Sequence, residues 1–215
     1  MFATRRRLVL TAAAGALLAA CQPGGGPKVA AGEDPSDMAI GDPNAPVKII
    51  EYASVTCPHC REFHETVWPS LKANYIDKGK VRFIFREFPT NPAELAVAGF
   101  QLARCGGRSS EQYFTMLDAL FDQQIAIFQA FEQGAAKDKL LAIAKSAGIS
   151  DDQFAKCVSD PDGVKRIDET VKNAQLRFKV DGTPTLIVNG DKLTPAQTFD
   201  YATMAKLIDS KITGK

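Results

Sequence analysis

A strand–helix–strand pattern over residues 47–88 constrains the fold of this chain more than any other feature. Val47–Ala53 is a short apolar run of the kind that forms buried strands. A helical pattern follows over residues 57–75, with Thr56 as the expected N-cap and Pro69 as an expected kink. Residues 81–88 form a second strand-like run. Because two strands joined by one helix make a βαβ unit, we expect these strands to be parallel.

A long helical block separates this unit from a second stretch of strand pattern. The strand pattern returns at Thr185–Val188, followed by an Asn189-Gly190 turn, a short partner strand and a closing helix over 198–210. The expected helical segments between them are 92–104, 110–132, 136–147, 151–158 and 162–178. The expected boundaries are 38–90 with 179–215 for an α/β domain and 91–178 for an inserted helical domain.

The N-terminus has the pattern of an export signal. Three arginines at positions 5–7 precede an apolar stretch at 8–20, which is too short to span a bilayer comfortably. Leu18-Ala19-Ala20-Cys21 looks like a bacterial lipobox, so we expect residues 1–21 to be a signal peptide and Cys21 to carry lipid. The alternative is an ordinary signal peptide with a chance cysteine, and Sec and twin-arginine export both stay open. Residues 22–37, rich in Gly, Pro and Ala, are predicted to be a flexible linker.

Composition allows a packed core and argues against nucleic-acid binding. The hydrophobic fraction is 45%, with 13 Phe among 215 residues. The net charge is +1, and it becomes −2 without the three arginines of residues 1–20, which hold no acidic residue. A chain so close to neutrality lacks the basic surface that nucleic-acid binding needs.

The five cysteines divide into three groups. Cys21 is assigned to the anchor, and Cys57 with Cys60 forms a C-x-x-C motif. Cys105 and Cys157 remain, and in an oxidising compartment they are expected to form a structural disulfide. Two unpaired buried thiols are the alternative.

Helical geometry makes the two motif cysteines unequal. With the helix beginning at Cys57, a step of about 100° per residue places Cys60, Phe63, Val67 and Leu71 on one face. Cys60 therefore points to the core. Cys57 is expected at the exposed helix start, where free N–H groups and the helix dipole favour a thiolate. Pro58 and His59 are assigned to the same site, because Pro58 stiffens the first turn and His59 can stabilise the thiolate.

Two other kinds of site fit the same residues less well. Cys57, Cys60 and His64 lie near one helix face and could bind zinc, but no second C-x-x-C or H-x-x-H exists. A cysteine protease would need a histidine opposite the nucleophile, and His64 lies about 10 Å along the helix from Cys57. His64 is predicted to be a packed core histidine.

The residues around the motif resemble the DsbA-type branch of the thioredoxin superfamily from about Met38 to the C-terminus. The matching pieces are E-Y-A-S-V-T-C-P-H-C at 51–60, the helical insertion, and Gly182-Thr183-Pro184-Thr185 before a strand. The resemblance implies an α/β fold, a thioredoxin-like βαβ…ββα domain with a large inserted helical domain. It also implies a cis peptide bond before Pro184, facing Cys57, with Thr183 binding an extended substrate.

The resemblance implies further roles for single residues. It makes Glu51 a buried acid that takes the proton of Cys60, whereas a solvent-facing strand end is the alternative. Relatives with a second disulfide in the helical domain match the Cys105–Cys157 pair. Isomerase-type relatives often have Thr at the position of Thr183, before the cis-proline. A reductase or isomerase on the same scaffold is therefore the main rival function.

We therefore predict a disulfide oxidase that donates the Cys57–Cys60 disulfide to folding exported proteins through a mixed disulfide. We expect a monomeric, lipid-anchored periplasmic protein that needs no metal or organic cofactor and does not bind nucleic acid. By resemblance, a DsbB-like quinone-linked membrane protein would reoxidise it. A non-enzymatic metal-binding lipoprotein that uses Cys57, Cys60 and His64 is the second rival.

Overall fold

The computed structural model describes residues 32–214 and the initiating Met1. The predicted signal peptide, its Cys21 and most of the predicted linker therefore lie outside the described residues. Among residues 32–214, no helix has both the length and the hydropathy that crossing a membrane requires.

A five-stranded mixed sheet lies at the centre of the described chain. Its strands are β1 (Met38–Ile40), β2 (Val47–Ala53), β3 (Val81–Glu87), β4 (Thr185–Val188) and β5 (Asp191–Lys192). The spatial order is β1-β3-β2-β4-β5, in which β2 and β3 are parallel and the other neighbours are antiparallel. The parallel pair confirms the βαβ prediction, and the α/β fold class is confirmed with it. β1 was not predicted, because three residues are too short for a periodic pattern.

The helix after β2 is broken next to Pro69, where the sequence predicted a kink. It consists of α1 (Pro58–Thr66), α2 (Trp68–Leu71) and a π-helical turn over Lys72–Ile76. The break falls just before Pro69, which lacks an N–H and whose ring clashes with the carbonyl four residues back.

The remaining helices mostly follow the predicted segments. They are α3 (Ala93–Ala103), α4 (Ser110–Asp122), α5 (Gln124–Glu132), α6 (Ala136–Ser146), α7 (Asp151–Val158), α8 (Pro161–Phe178), α9 (Pro195–Phe199) and α10 (Tyr201–Thr213). The predicted segment 110–132 is two helices with a break at Gln123. The predicted closing helix is also two, because Asp200 ends α9 and caps α10.

Both faces of the sheet are buried, which explains why β2 is apolar throughout. Ile49 and Ala53 belong to the larger core cluster, which α1, α10 and the helices between β3 and β4 complete. Ile50 and Tyr52 belong to a smaller cluster that α8 covers. Because side chains alternate along a strand, Glu51 falls on the same face as Ile49 and Ala53.

The end of the predicted linker is attached to the sheet. Asp37 accepts two hydrogen bonds from the buried Arg86 at 2.9 and 2.8 Å, and Glu33 pairs with Arg82 at 3.3 Å. The attached part of the chain therefore begins before residue 38, where the α/β domain was expected to start.

Candidate active site

The dithiol motif lies at the N-terminus of α1, directly after β2. Cys57 is the N-cap residue, and Pro58 takes the first helical position, where a missing N–H breaks no helical hydrogen bond. The N-cap was predicted at Thr56, and this was wrong. The Thr56 hydroxyl is engaged instead by Ser54 Oγ at 2.9 Å and by Thr90 Oγ1 at 3.0 Å. These contacts tie the loop before Cys57 to the segment after β3.

The two cysteines are both shielded from water, but by different neighbours. Cys60 is fully buried on the core face of α1, as the helical spacing predicted. The expectation that Cys57 lies at an exposed helix end was wrong, since its exposed fraction is 7%. The loop before β4 covers it, with 3.3 Å between Cys57 Sγ and the Thr183 carbonyl oxygen, which accepts a hydrogen bond from the protonated thiol. Access to Cys57 Sγ is therefore controlled by this loop.

The two sulfurs differ in acidity. The hydrogen bond from Cys60 lowers the pKa of Cys57 to about 5, against burial and with help from Thr183 and the backbone N–H groups of Cys60 and His59. Burial raises the pKa of Cys60 well above its ordinary value, and the hydrogen bond with Cys57 and the charge of Glu51 raise it further. Near neutral pH, Cys57 is therefore a thiolate and Cys60 a thiol.

The loop opposite Cys57 contains the proline singled out from the sequence. The peptide bond between Thr183 and Pro184 is cis. The Thr185 hydroxyl donates to the Gly182 carbonyl at 2.7 Å, which closes the loop on itself just before β4. Thr183 Oγ1 is buried and has no hydrogen-bond partner among the described residues, so it is free to donate to a Cys57 thiolate.

Glu51 lies beneath the dithiol helix, in the middle of β2, with no exposed surface. Its Oε2 is 3.0 Å from His64 Nε2, and His64 is itself buried and stacked on Phe121 with 4.2 Å between ring centroids. The solvent-facing alternative for Glu51 is therefore wrong. Glu51 Oε1 has no partner among the described residues, which leaves one oxygen of this buried acid available to accept a proton.

The geometry gives no support to the zinc alternative. His64 directs Nε2 at Glu51, and its ring is enclosed by aromatic side chains. Across residues 32–214, no three His, Cys, Asp or Glu side chains converge as metal ligands would.

A cleft of about 540 Å³ opens beside the dithiol. His59 lies at the edge of the cleft, and its side chain is 72% exposed to solvent. The distance from His59 Nδ1 to Glu62 Oε2 is 3.2 Å. The cleft lining is mainly apolar and includes Thr183, Pro184, Leu193, Pro195 and Phe199. The described structure therefore places His59, Thr183 and Pro184 around a single surface depression next to Cys57.

The other two described cysteines form a disulfide. It joins Cys105, just after α3, to Cys157 in α7, across 52 positions of sequence. The alternative of two unpaired thiols is wrong. Both cysteines lie within the helical segment between β3 and β4, outside the dithiol site.

Sequence reasoning missed two residues that hold the site. The Ser54 backbone N–H donates to Cys60 Sγ at 3.4 Å. The side chain of Gln124, at the start of α5, donates to the carbonyls of Val55 and Cys57 at 2.8 and 3.1 Å. The closeness of Ser54 to the motif was a usable signal, whereas nothing local connects Gln124 to a loop almost 70 residues earlier.

A sheet of this order, with a dithiol at the start of its first helix and a cis-proline loop opposite, defines a thioredoxin-fold protein with a two-thiol site. A thioredoxin family model matches residues 33–210. The crystal structure of Wolbachia pipientis α-DsbA1 superposes with a TM-score of 0.77 at 27% identity, covering 85% of this chain and 94% of that one. The chain therefore belongs to the thioredoxin family, in its DsbA-type branch, which confirms the resemblance found in the sequence.

Relatives by sequence carry names that refer to disulfide chemistry. A Bacillus cereus protein named as a candidate disulfide bond formation protein D is 31% identical over 182 residues, which is 82% of this chain and 79% of that protein. A Rickettsia typhi protein named as a candidate protein-disulfide oxidoreductase is 33% identical over 177 residues, which is 79% of this chain. The chain spans 58% of that relative and 61% of its Rickettsia bellii counterpart, so those two proteins are much longer than the matched part.

Proposed function

We propose that this protein is an exported thiol:disulfide oxidoreductase that donates the Cys57–Cys60 disulfide to folding secreted proteins. The observation that carries the proposal is the inequality of the two sulfurs. Cys57 has a pKa lowered to about 5, whereas burial raises the pKa of Cys60 well above its ordinary value. A pair of this kind has one sulfur suited to leave as a thiolate and one suited to stay protonated.

The direction of exchange follows from the acidity of Cys57. A thiolate that the fold stabilises makes the reduced form more stable relative to the disulfide. The disulfide is then a strong oxidant, and its transfer to a substrate dithiol is favourable. This argument supports an oxidase rather than a reductase.

The reaction proceeds in two exchanges. A substrate thiolate attacks Cys57 Sγ of the disulfide, which forms the mixed disulfide and releases Cys60, and Cys60 takes up a proton. A second substrate thiolate then attacks the substrate sulfur of the mixed disulfide and expels Cys57 as a thiolate. The substrate loses two electrons and two protons and leaves with a disulfide; the enzyme keeps both electrons, Cys60 takes its proton from a group within the enzyme, and both substrate protons go to solvent.

The cis-proline loop is the proposed docking site for the substrate chain. Thr183 and Pro184 line the cleft beside Cys57, and the Thr183 carbonyl lies 3.3 Å from Cys57 Sγ. An extended substrate could add its backbone to this loop in the manner of an additional strand. The apolar lining of the cleft suits the unfolded chains that expose hydrophobic side chains.

Glu51 is the proposed proton carrier for Cys60. It is buried on the core face of β2, under α1, and its Oε1 is free of partners among the described residues. It gives a proton to Cys60 when that sulfur is released and takes it back when Cys60 attacks during reoxidation. Water cannot easily perform this transfer, because Cys60 has no exposed surface.

We infer an oxidising compartment and a membrane attachment from the remaining features. The N-terminal basic and apolar pattern supports export, and Cys21 is the proposed lipid site that would attach a periplasmic monomer to a membrane. The Cys105–Cys157 disulfide also suits that compartment. A DsbB-like quinone-linked membrane protein is the proposed reoxidant.

An isomerase or reductase is the second candidate, and Thr183 favours it. A buried hydroxyl next to Cys57 can stabilise mixed disulfides as well as the thiolate, and isomerase-type relatives carry Thr at this position. The reduction potential separates the oxidase from a reductase. We expect a value well above that of thioredoxin, which is about −270 mV, and a value near it would reject the oxidase assignment.

Trapping tests the mechanism directly. Cys60→Ala removes the sulfur that would resolve the mixed disulfide, so Cys57 is expected to accumulate adducts with several exported proteins. Cys57→Ala is the matched control and should form none. If Cys60→Ala is produced in an oxidising host and yields no adducts, the proposed exchange is contradicted.

A further inference from the structure

The break between α4 and α5 has a consequence for the dithiol site. A single helix was predicted over 110–132, but α4 ends at Asp122 and α5 begins at Gln124. The side chain of Gln124 is buried, with 2% of the residue exposed. Its Nε2 donates to the Val55 carbonyl at 2.8 Å and to the Cys57 carbonyl at 3.1 Å. One amide group thus holds the loop before α1 at two points.

The same loop is contacted by two further elements near the insertion. Gly99 of α3 lies so close to Val55 that an added Cβ would be 2.7 Å from Val55 Cγ2. Thr90, after β3, exchanges hydrogen bonds with Thr56 at 3.0 Å. Gly99 therefore packs against the loop, and Thr90 and Gln124 form hydrogen bonds with it. Among these three residues, Gln124 makes the contact nearest to Cys57.

We propose that Gln124 is a positioning residue of the dithiol site. Gln124 holds the loop that carries Cys57, so that Cys57 Sγ stays aligned with the groups that stabilise its thiolate. The proposal rests on the proposed function, because it concerns the geometry of the same two sulfurs. Gln124 does not touch Sγ, and it acts through the backbone of Cys57. Through this contact, the reactivity of Cys57 depends on how the inserted helices pack against the loop.

The physical basis is the short range of the contacts that stabilise a Cys57 thiolate. These contacts come from Cys60, from Thr183 and from N–H groups at the start of α1, and hydrogen bonds weaken steeply with distance and angle. The Cys57 carbonyl also accepts the Arg61 N–H at 3.2 Å, so its position sets the first turn of α1. If the loop relaxes, these donors and Sγ lose their alignment together.

The test compares two buried glutamines of the inserted helices in the full-length protein. Gln124→Met keeps the side-chain volume but cannot donate a hydrogen bond. Gln101→Met is the matched control, since Gln101 is also buried and donates to the Asp160 carbonyl at 2.5 Å, away from the dithiol. For each reduced protein, the ultraviolet absorbance of the thiolate is titrated with pH, and the reduction potential and thermal unfolding are measured.

We expect Gln124→Met to raise the midpoint of the Cys57 titration by about one pH unit, which is about a ten-fold loss of thiolate below both midpoints. Gln101→Met should lower the unfolding temperature and leave the midpoint unchanged. If Gln124→Met does not fold, Gln124→Asn, whose amide is one methylene short of the loop, carries the test with the same expected direction. A Gln124 variant that folds and titrates as the wild type does would overturn the positioning role.

The same data separate this proposal from the proposed function. A wild-type midpoint near the ordinary thiol value would contradict the oxidase itself, whatever the variants do. A lowered wild-type midpoint that the Gln124 variants do not move contradicts only the role of Gln124.

Discussion

At the scale of the residue, the chemistry depends on how the fold treats two identical thiols three positions apart. Cys57 occupies the N-cap of α1, where backbone N–H groups, Cys60 and Thr183 all favour its anion. Cys60 faces the core, where burial and the nearby Glu51 carboxylate favour the neutral thiol. The first turn of one helix points the two side chains in different directions, and Thr183 and Glu51, which belong to other parts of the chain, add to the difference in acidity.

The acidity of Cys57 predicts how the stability of the reduced protein varies with pH. Its folded-state pKa, about 5, lies below its ordinary value of 9.0, so the unfolded chain binds more protons between these values. The stabilisation from Cys57 therefore grows as pH rises from about 5 and is lost as pH falls through that value. We expect the unfolding temperature of the reduced form, minus that of the oxidised form, to increase between about pH 5 and pH 8.

Cys57→Ser provides the control for this measurement. It removes the titrating thiolate and leaves Cys60, which stays protonated across this window in the folded protein. Because the variant cannot form the disulfide, its unfolding temperature is compared with that of the reduced wild type. The difference between reduced wild type and variant should also grow between about pH 5 and pH 8, and a difference that does not change with pH would place the titrating group elsewhere.

Glu51→Gln tests the proton carrier. The variant keeps the shape of the side chain and a partner for His64 but cannot exchange a proton, so attack by Cys60 on a mixed disulfide should slow by about 10²-fold. Attack by the reduced Cys57 thiolate on an external disulfide should change far less, because that step neither releases nor deprotonates Cys60. Stopped-flow measurement of both steps gives the comparison, and equal effects on the two steps would contradict a specific role.

At the scale of the element, the edge of the sheet is completed by a short strand and an ion pair. β1 has three residues and pairs with β3, and Arg86 of β3 binds the Asp37 carboxylate immediately before β1. The Arg86 side chain is 3% exposed and also donates to Tyr52 at 2.9 Å. The charge is thus enclosed, and its partner holds the N-terminal edge in place.

Removal of Asp37 should therefore be costly. Asp37→Ala leaves the buried Arg86 with a reduced set of partners, and we expect the free energy of unfolding to fall by about 3 kcal/mol in urea titrations. Asp77→Ala is the control, because the pair of Asp77 with Lys72 is exposed, with 42% of the lysine and 48% of the aspartate side chain accessible. That change should cost less than about 1 kcal/mol. Similar losses for the two variants would show that the Arg86 pair is no stronger than a surface pair.

At the scale of the whole molecule, the helices between β3 and β4 are joined to the sheet by a buried polar cluster and closed by a disulfide. Glu87, at the end of β3, binds Arg104 at 2.6 Å and Tyr113 at 3.0 Å. The Cys105–Cys157 disulfide then connects α3 to α7. The disulfide lies within the helical segment, so its contribution should be to stability rather than to exchange.

Cys105→Ala with Cys157→Ala tests that division. Opening a loop of this length should lower the free energy of unfolding by about 4 kcal/mol in the chain-entropy model. The Cys57 titration midpoint should not move, because neither cysteine contacts the dithiol. Denaturant unfolding and the thiolate titration measure the two effects, and a shifted midpoint would place the disulfide among the residues that control Cys57.

Part of the fold could be predicted because its signals are local. The βαβ unit, the start of α1, the direction of Cys60 and the helical character of residues 92–178 all follow from periodicities within one element. The break next to Pro69 was predicted from the proline itself, whereas the one between α4 and α5 was missed, because the apolar pattern runs on across it. β1 is held by its pairing with β3 rather than by its own three residues.

The sequence by itself therefore determined the fold class, the position of the dithiol and the inequality of its sulfurs, since these depend on neighbours within a turn or two. Only the tertiary structure decided that Cys57 is covered by a loop 126 positions away, that Glu51 pairs with His64, and that Gln124 reaches back 69 positions to the active-site loop. The reason is physical: these contacts join segments that are distant in sequence, and they exist only after the sheet and the inserted helices have packed together.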